Sequence, residues 1–236
     1  MARILAFDTA TERASAALGL GDEVFAVELP GGAQASAVLI PALLRLLDEA
    51  GVALKGLDAI AFGRGPGAFT GLRTACSVAQ GLALGASLPV VAVDTLAAIA
   101  EDARSRAVPD APHWRVWAML DARMDELYAA EYRFGTSGWE TVVEPLLAAP
   151  EALARRWAAE PPAAAAGEAL ATFSARLGLA GLMAVPDARP RADALLRVAR
   201  QLHMQGRAVD PALALPLYVR NKVALTSAER AARVVS

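Results

Sequence analysis

Residues 57–73 read LDAIAFGRGPGAFTGLR. The first half is an apolar run of strand length, and the second is a glycine-rich turn that feeds a helix-like segment. A buried strand passing through glycine into a helix is the mark of an α/β unit. Such a turn offers backbone N–H donors at the positive end of a helix dipole, a geometry suited to phosphate. The spacing matches neither GxxxxGK[ST] nor GxGxxG, and Pro66 removes one donor from the middle. The other reading is a loop that needs glycine for its φ angles and for close backbone approach. Thr70 reads as the N-cap of a helix continuing to about Ala86.

Working outward, RILAFDTA, ASAALGL and EVFAVEL read as three strands, with Gly21-Asp22 as a hairpin turn between the last two. Ala35, Val38, Leu39, Ala42, Leu43, Leu46, Leu47 and Ala50 then follow helical spacing. Ile40 and Leu44 add a second apolar stripe, so this helix is expected to pack on two sides. Beyond the glycine loop come the buried strand PVVAVD and the helix LAAIAEDARSR. A break at VPDAPH precedes three antiparallel strands, WRVWAMLDAR, DELYAAEYRF and WETVVEP, with the Gly135–Gly138 turn between the last two. Helices follow over 151–159, 168–177 and 191–205, with a short strand over 163–166 between the first two, and PLYVRNKVA leaves as a strand-like exit. Each half starts with antiparallel strands and continues into helices and buried strands. That pattern predicts a duplicated α/β architecture with a first lobe over 1–108 and a second over 109–236.

Composition limits the chemistry. At 56% apolar and 20% charged, a chain of 236 residues buries a substantial core. A net charge of -2 argues against holding nucleic acid by phosphate neutralisation. Lys55 and Lys222 are the only lysines, an arginine excess read first as coding bias. The single cysteine, Cys76, excludes an internal disulfide framework and fits a reducing compartment. MARILAFDTA carries no signal-peptide pattern. The uncharged stretch 74–93 has membrane-span length, but Gln80, Gly81, Gly85 and Pro89 interrupt it, so a buried helix and strand explain it better. The expectation is a soluble, cytoplasmic protein.

Few residues assemble into a reaction. Asp8, in FDTAT at the end of the first strand, either holds a metal-bound phosphate or bonds its own turn as an Asx turn. His113 and His203 are the only histidines and form no HxxxH pair, and no GxSxG occurs. Asp121, Arg123, Asp125 and Glu126 in LDARMDELY read as a hairpin turn with locally paired or solvated charges. More informative is Ser77, Gly81 and Gly85, which recur every four residues on one helix face. Glycine inside a helix costs about 1 kcal/mol relative to alanine, so two on one face suggest close helix approach. The stripe packs either on this chain's own sheet or on another molecule, and the second is favoured.

RILAFDTATERASAAL, LDAIAFGRGPGAFTGLRTACSVAQGLALG, LDARMDELYAAEY and PLYVRNKVA together closely resemble the bacterial TsaB (YeaZ) family, in order and spacing over nearly the whole chain. The resemblance implies a two-lobed actin/sugar-kinase/Hsp70-like fold with mixed sheets flanked by helices. It implies a noncatalytic scaffold for forming threonylcarbamoyladenosine beside the anticodon of tRNAs that read codons beginning with A. The partner is the larger paralogue TsaD, joined by the ATPase TsaE. ATP and metal are then expected on those partners, with no cofactor or catalytic residue in this chain. Isolated, the family pairs as a homodimer through its first-lobe helices, and little direct tRNA contact is expected. Carried onto this chain, the partner-binding residues are Leu43, Leu47, Arg64, Phe69, Arg73, Ser77, Gly81 and Gly85. Ala35-Ser36 departs from the His-Ser or His-Thr common at the start of the first helix. The enzymatic alternative is an ATP-dependent kinase or transferase acting alone through Asp8 and the glycine loop.

Overall fold

Strand β1 (Ile4–Asp8) is buried at every position, whereas β3 (Glu23–Pro30) alternates between exposed and half-buried residues. The first pattern belongs to the middle of a sheet covered on both faces and the second to an edge. In the computed structural model, which describes residues 1–220, β2 (Arg13–Leu20) lies between them. Helix α1 (Ala35–Glu49) then leads to β4 (Ala59–Gly65), α2 (Phe69–Ala86) to β5 (Val90–Asp94), and α3 (Thr95–Ala107) follows. The second half runs β6 (Trp114–Arg123), β7 (Glu126–Gly135), β8 (Gly138–Ala148), α4 (Pro150–Ala159), β9 (Ala164–Ala166), α5 (Ala169–Leu177), β10 (Met183–Val185) and α6 (Ala192–Met204).

The two sheets share one topology. The first has the order β3-β2-β1-β4-β5 and the second β8-β7-β6-β9-β10. In both, the three leading strands pair antiparallel and the remaining two join in parallel. The duplicated α/β pattern therefore holds. Strand β10 was not anticipated, and Thr70 is not the N-cap: α2 starts at Phe69, with Ala68 in the cap position and no side-chain cap bond. Of PLYVRNKVA, residues 216–220 run without regular structure, and 221–224 lie outside the described residues.

Alternation along β1 divides the core. Leu5 and Phe7 face the outer layer with Ile60 and Phe62, beneath Leu39, Leu43 and Leu46 of α1 and Ala75, Ala79 and Ala83 of α2. Ile4 and Ala6 face inward with Ala17, Ala59 and Ala61, and these small residues let helices pack closely on the inner face. Those inner helices are shared between the halves. Helix α6 packs across β1, β2, β4 and β5 of the first sheet, while α3 lies against β4 and β5 of the first and reaches β6, β7 and β9 of the second. On the far side, α4 and α5 cover the second sheet through Leu153, Trp157, Leu170 and Phe173. The chain thus stacks helix, sheet, helix, sheet and helix layers.

Two buried acids pin the central layer. Glu101 on α3, 2% exposed, accepts hydrogen bonds from Arg104 Nε at 2.9 Å, Arg197 Nε at 2.6 Å and Trp139 Nε1 at 2.9 Å. Its neighbour Asp102 accepts from the Arg189 backbone N–H at 2.9 Å and pairs with Arg191. Burial raises the Asp102 pKa, against the lowering effects of the Arg189 bond and the Arg191 charge. One helix thereby fastens α6, β8 and the segment leading into α6. Removing one partner of a buried ion pair costs about 3 kcal/mol or more, since the other charge is left unmatched. Glu101→Ala is expected to lower the free energy of urea unfolding by about that much. Glu49→Ala, which removes the exposed pair with Arg45, is expected to shift it by less than about 0.5 kcal/mol.

Candidate functional site

The glycines of residues 63–71 are set by the turn after β1, which they embrace. A Cβ at Gly63 would fall onto the Asp8 carboxylate, one at Gly71 onto the Thr9 carbonyl oxygen, and one at Gly67 within 2.6 Å of Ala10. Gly65 also has φ +112, which side chains rarely adopt. Hydrogen bonds close the embrace: Thr9 Oγ1 donates to Gly71 O at 2.7 Å, and Ala68 N donates to Ala10 O at 2.8 Å. Of the two readings of this loop, close backbone approach is the one the geometry fits.

Asp8 lies at the centre, 1% exposed. Its Oδ1 accepts from Ala10 N at 2.7 Å, an Asx turn, and its Oδ2 accepts from Thr95 Oγ1 at 2.8 Å. The same threonine hydroxyl accepts from Gly65 N at 3.2 Å. Burial pushes the Asp8 carboxyl up to about 6, against the lowering effect of its two hydrogen bonds. Both oxygens are thus committed to the fold. Thr95 was missed from sequence, although Asp-Thr ends the apolar run at 8–9 and again at 94–95.

The residues assigned to a partner surface separate into three groups. Ser77, Gly81 and Gly85 line the exposed face of α2, and nothing lies within 4 Å of a Cβ built on either glycine. The stripe therefore does not pack on this chain's own described sheet or helices. Phe69, 46% exposed, and Arg73 continue that face; the Arg73 guanidinium stacks 3.8 Å over the Phe69 ring and its Nε donates to Tyr218 Oη at 3.3 Å. Leu43 and Leu47 require correction: at 1% and 6% exposure they belong to the core, and the outward stripe of α1 carries Ile40 and Leu44. A helix apolar on two sides gives no phase, so the sequence left open which stripe met the sheet. Arg64 stands apart, its Nε donating to Asp94 Oδ1 at 2.5 Å. Leu213 and Leu215, both 69% exposed, were missed; they flank Ala214, which is held to α2 through Gln80 and Cys76.

Two clefts open between the sheets. One, of about 500 Å³, lies between the glycine loop and the β6–β7 hairpin and includes Glu12, Phe69, Arg123, Glu168 and Tyr218. Burial raises the Glu168 pKa there. In that hairpin Arg123, Met124 and Asp125 all have positive φ, and the charges reach further than expected: Arg123 pairs with Glu12 and Asp125 with Arg176. The other cleft, of about 710 Å³, includes Arg64, Asp94 and Tyr132. Among the described residues no group of three or more His, Cys, Asp or Glu is arranged to hold a metal ion. No described helix is long and apolar enough to cross a membrane.

Comparison with known proteins gives a consistent picture. Residues 32–188 match the family model described as TsaD, tRNA N6-adenosine threonylcarbamoyltransferase. The tRNA threonylcarbamoyladenosine biosynthesis protein TsaB of Escherichia coli is 35% identical over 94% of this chain and 96% of its own length. Its counterpart from Haemophilus influenzae is 32% identical over 93% and 94%. Among solved structures, YeaZ from Pseudomonas aeruginosa superposes with a TM-score of 0.83 at 37% identity, over 92% of this chain and all of that one.

The Asp8 geometry carries a pH signature. Its folded pKa of about 6 stands above the ordinary 3.8, so between those values the folded state holds more proton than the unfolded one. The stabilisation from this group is complete below pH 3.8 and is lost as pH rises through about 6, to a total of about 3 kcal/mol. Asp8→Asn, which keeps the oxygen facing Ala10 N and cannot ionise, removes that loss. Urea unfolding from pH 4 to pH 7 should show the native chain weakening by up to about 3 kcal/mol relative to the variant, and parallel profiles would refute the assignment.

Proposed function

The chain belongs to the TsaB (YeaZ) family of tRNA threonylcarbamoyladenosine biosynthesis proteins, and on that premise we propose that it works by assembly: the exposed face of α1 and α2 docks the catalytic subunit TsaD. The observation that carries the reading is the open stripe Ser77-Gly81-Gly85, where another helix can approach to backbone contact. Ile40, Leu44, Leu84, Leu213 and Leu215 are all more than 40% exposed on these adjacent elements, a surface whose burial by a partner is favourable. Phe69 with Arg73 and Tyr218 adds an aromatic and arginine cluster of the kind that anchors interfaces.

In this reading TsaE joins the pair, and ATP and metal act on TsaD and TsaE. The isolated chain pairs with itself through the same face, and direct contact with tRNA is slight. The assembly works in the cytoplasm on tRNAs whose codons begin with A. Support for a noncatalytic role comes from Asp8, the carboxylate that a stand-alone kinase would need at its phosphate turn. Buried, with both oxygens bonded within the fold, it cannot turn outward to a metal–nucleotide without dismantling the contacts at Ala10 and Thr95.

Gly81→Leu is the direct test. The space around Gly81 is open and its backbone helical, so the monomer should fold normally, with up to about 1 kcal/mol gained from helix propensity. Association with TsaD on co-purification, and with itself in analytical ultracentrifugation, should fall by at least about tenfold. Unchanged association would remove the stripe from the interface. In reconstitution, TsaD and TsaE should modify tRNA far more slowly without this chain, and full-rate modification in its absence would sink the assembly role.

A further inference from the structure

Residues 214–220 follow the short turn Pro211–Leu213 and carry no regular structure, yet they are fastened along their length. On the first half, the Ala214 carbonyl accepts from Gln80 Nε2 at 3.1 Å and from Cys76 Sγ at 3.4 Å, both on α2. Leu217 N donates to Arg64 O at 2.7 Å, near the end of β4. Tyr218 then packs on Phe69, ring centroids 5.4 Å apart, and its hydroxyl accepts from Arg73 Nε at 3.3 Å. Two residues later the chain has crossed to the second half. Arg220 Nη2 donates to Ala122 O at 3.0 Å, and its Nη1 pairs with Glu126 at 2.8 Å. The segment is a strap from the exposed face of α2 to the β6–β7 hairpin, and Leu217, Tyr218, Val219 and Arg220 form one wall of the first cleft.

The strap ends at a strained turn. Arg123, Met124 and Asp125 have φ of +62, +56 and +62. Left-handed backbone is costly for residues with a side chain, and three in succession persist only where the surroundings fix them. Arg220 supplies part of that constraint: besides Ala122 O it reaches Arg123 O at 3.4 Å, and its side chain is only 13% exposed. The other tie across this lip, Arg123 with Glu12 at 3.3 Å, joins two exposed side chains and contributes little. Arg220 is therefore the firmer of the two. At the other end, Phe69 and Tyr218 belong both to the exposed cluster beside the α2 stripe and to the wall of the cleft. Whatever holds the outer side of that pair also holds the strap.

We infer that residues 214–220 couple the two halves: a partner docked on α2 fixes Tyr218, and the strap passes that restraint through Arg220 to the β6–β7 hairpin, steadying the lip of the first cleft. Use of the strap by a partner rests on the docking of TsaD at α2, whereas the link from Tyr218 to the hairpin does not. Such coupling is reciprocal, so a hairpin already held in place strengthens docking by a factor like that by which docking quietens the hairpin.

Hydrogen exchange of the full-length chain, read on peptides spanning residues 120–128, tests both parts. Without a partner, Tyr218→Ala removes contacts to α2 and none of those made by Arg220. It should still speed hairpin exchange by about fivefold or more, as Arg220→Ala does. With TsaD bound, hairpin exchange in the native chain should slow by about fivefold or more. Arg220→Ala should abolish that protection and weaken TsaD binding by a like factor, while α2 stays protected. Unchanged hairpin exchange in Tyr218→Ala overturns the inference. So does bound TsaD that protects α2 and leaves the hairpin unaltered, or hairpin protection that survives Arg220→Ala, which would mean direct contact. If TsaD protects neither α2 nor the hairpin, docking at α2 is what fails and the partner's use of the strap fails with it; the Tyr218→Ala result then decides the link by itself.

Discussion

The Asp8 carboxylate fills the space that a side chain at position 63 would need, and three segments meet around it. The turn after β1 donates through Ala10, the first residue of α3 through Thr95, and β4 reaches the same threonine through Gly65. A carboxyl taken wholly out of water is costly, and this one is tolerated because both oxygens are bonded and because it holds its proton more readily than usual. The arrangement sets where α2 and α3 begin, and with them the outer face that meets other molecules and the inner helix that joins the sheets. The loop at 63–73 and the FDTAT turn look like two halves of a phosphate site. Here they are packed against each other.

Much of this was legible in the sequence because it is encoded locally. Glycine at 63, 65, 67 and 71 reports close approach and unusual φ, and apolar spacing reports α1, α2 and the strands. What failed was information that only tertiary structure supplies. Leu43 and Leu47 were placed outward because α1 is apolar on two sides, and only the sheet decides which stripe it covers. Strand β10 has three residues, too few for an alternation to show. In the candidate site the exposed glycine stripe was readable from spacing alone, whereas Thr95 was not: its bond to Asp8 depends on how the start of α3 meets the end of β1.

The arginine excess gains a physical role from the structure. Apart from Asp8, the buried acids that recur where layers meet are each satisfied by a guanidinium fork: Glu101 by Arg104 and Arg197, Asp102 by Arg191, and Glu131 by Arg115 at 2.9 Å. A planar fork with several donors can bond a buried carboxylate while its other edge bonds backbone or a second acid, which an ammonium does less well. Whatever coding bias favours arginine, the interior between the sheets makes use of its shape.

The sharing of α3 and α6 sets how far the two halves can be treated as modules. Each sheet takes part of its inner cover from the other half of the chain, so neither half encloses its own core. The two halves of the internal duplication therefore share one cluster of buried residues, drawn from both sides of the linker near residue 108. The outer helices have only one face committed to the fold, and it is there that a shared framework is free to acquire different partners.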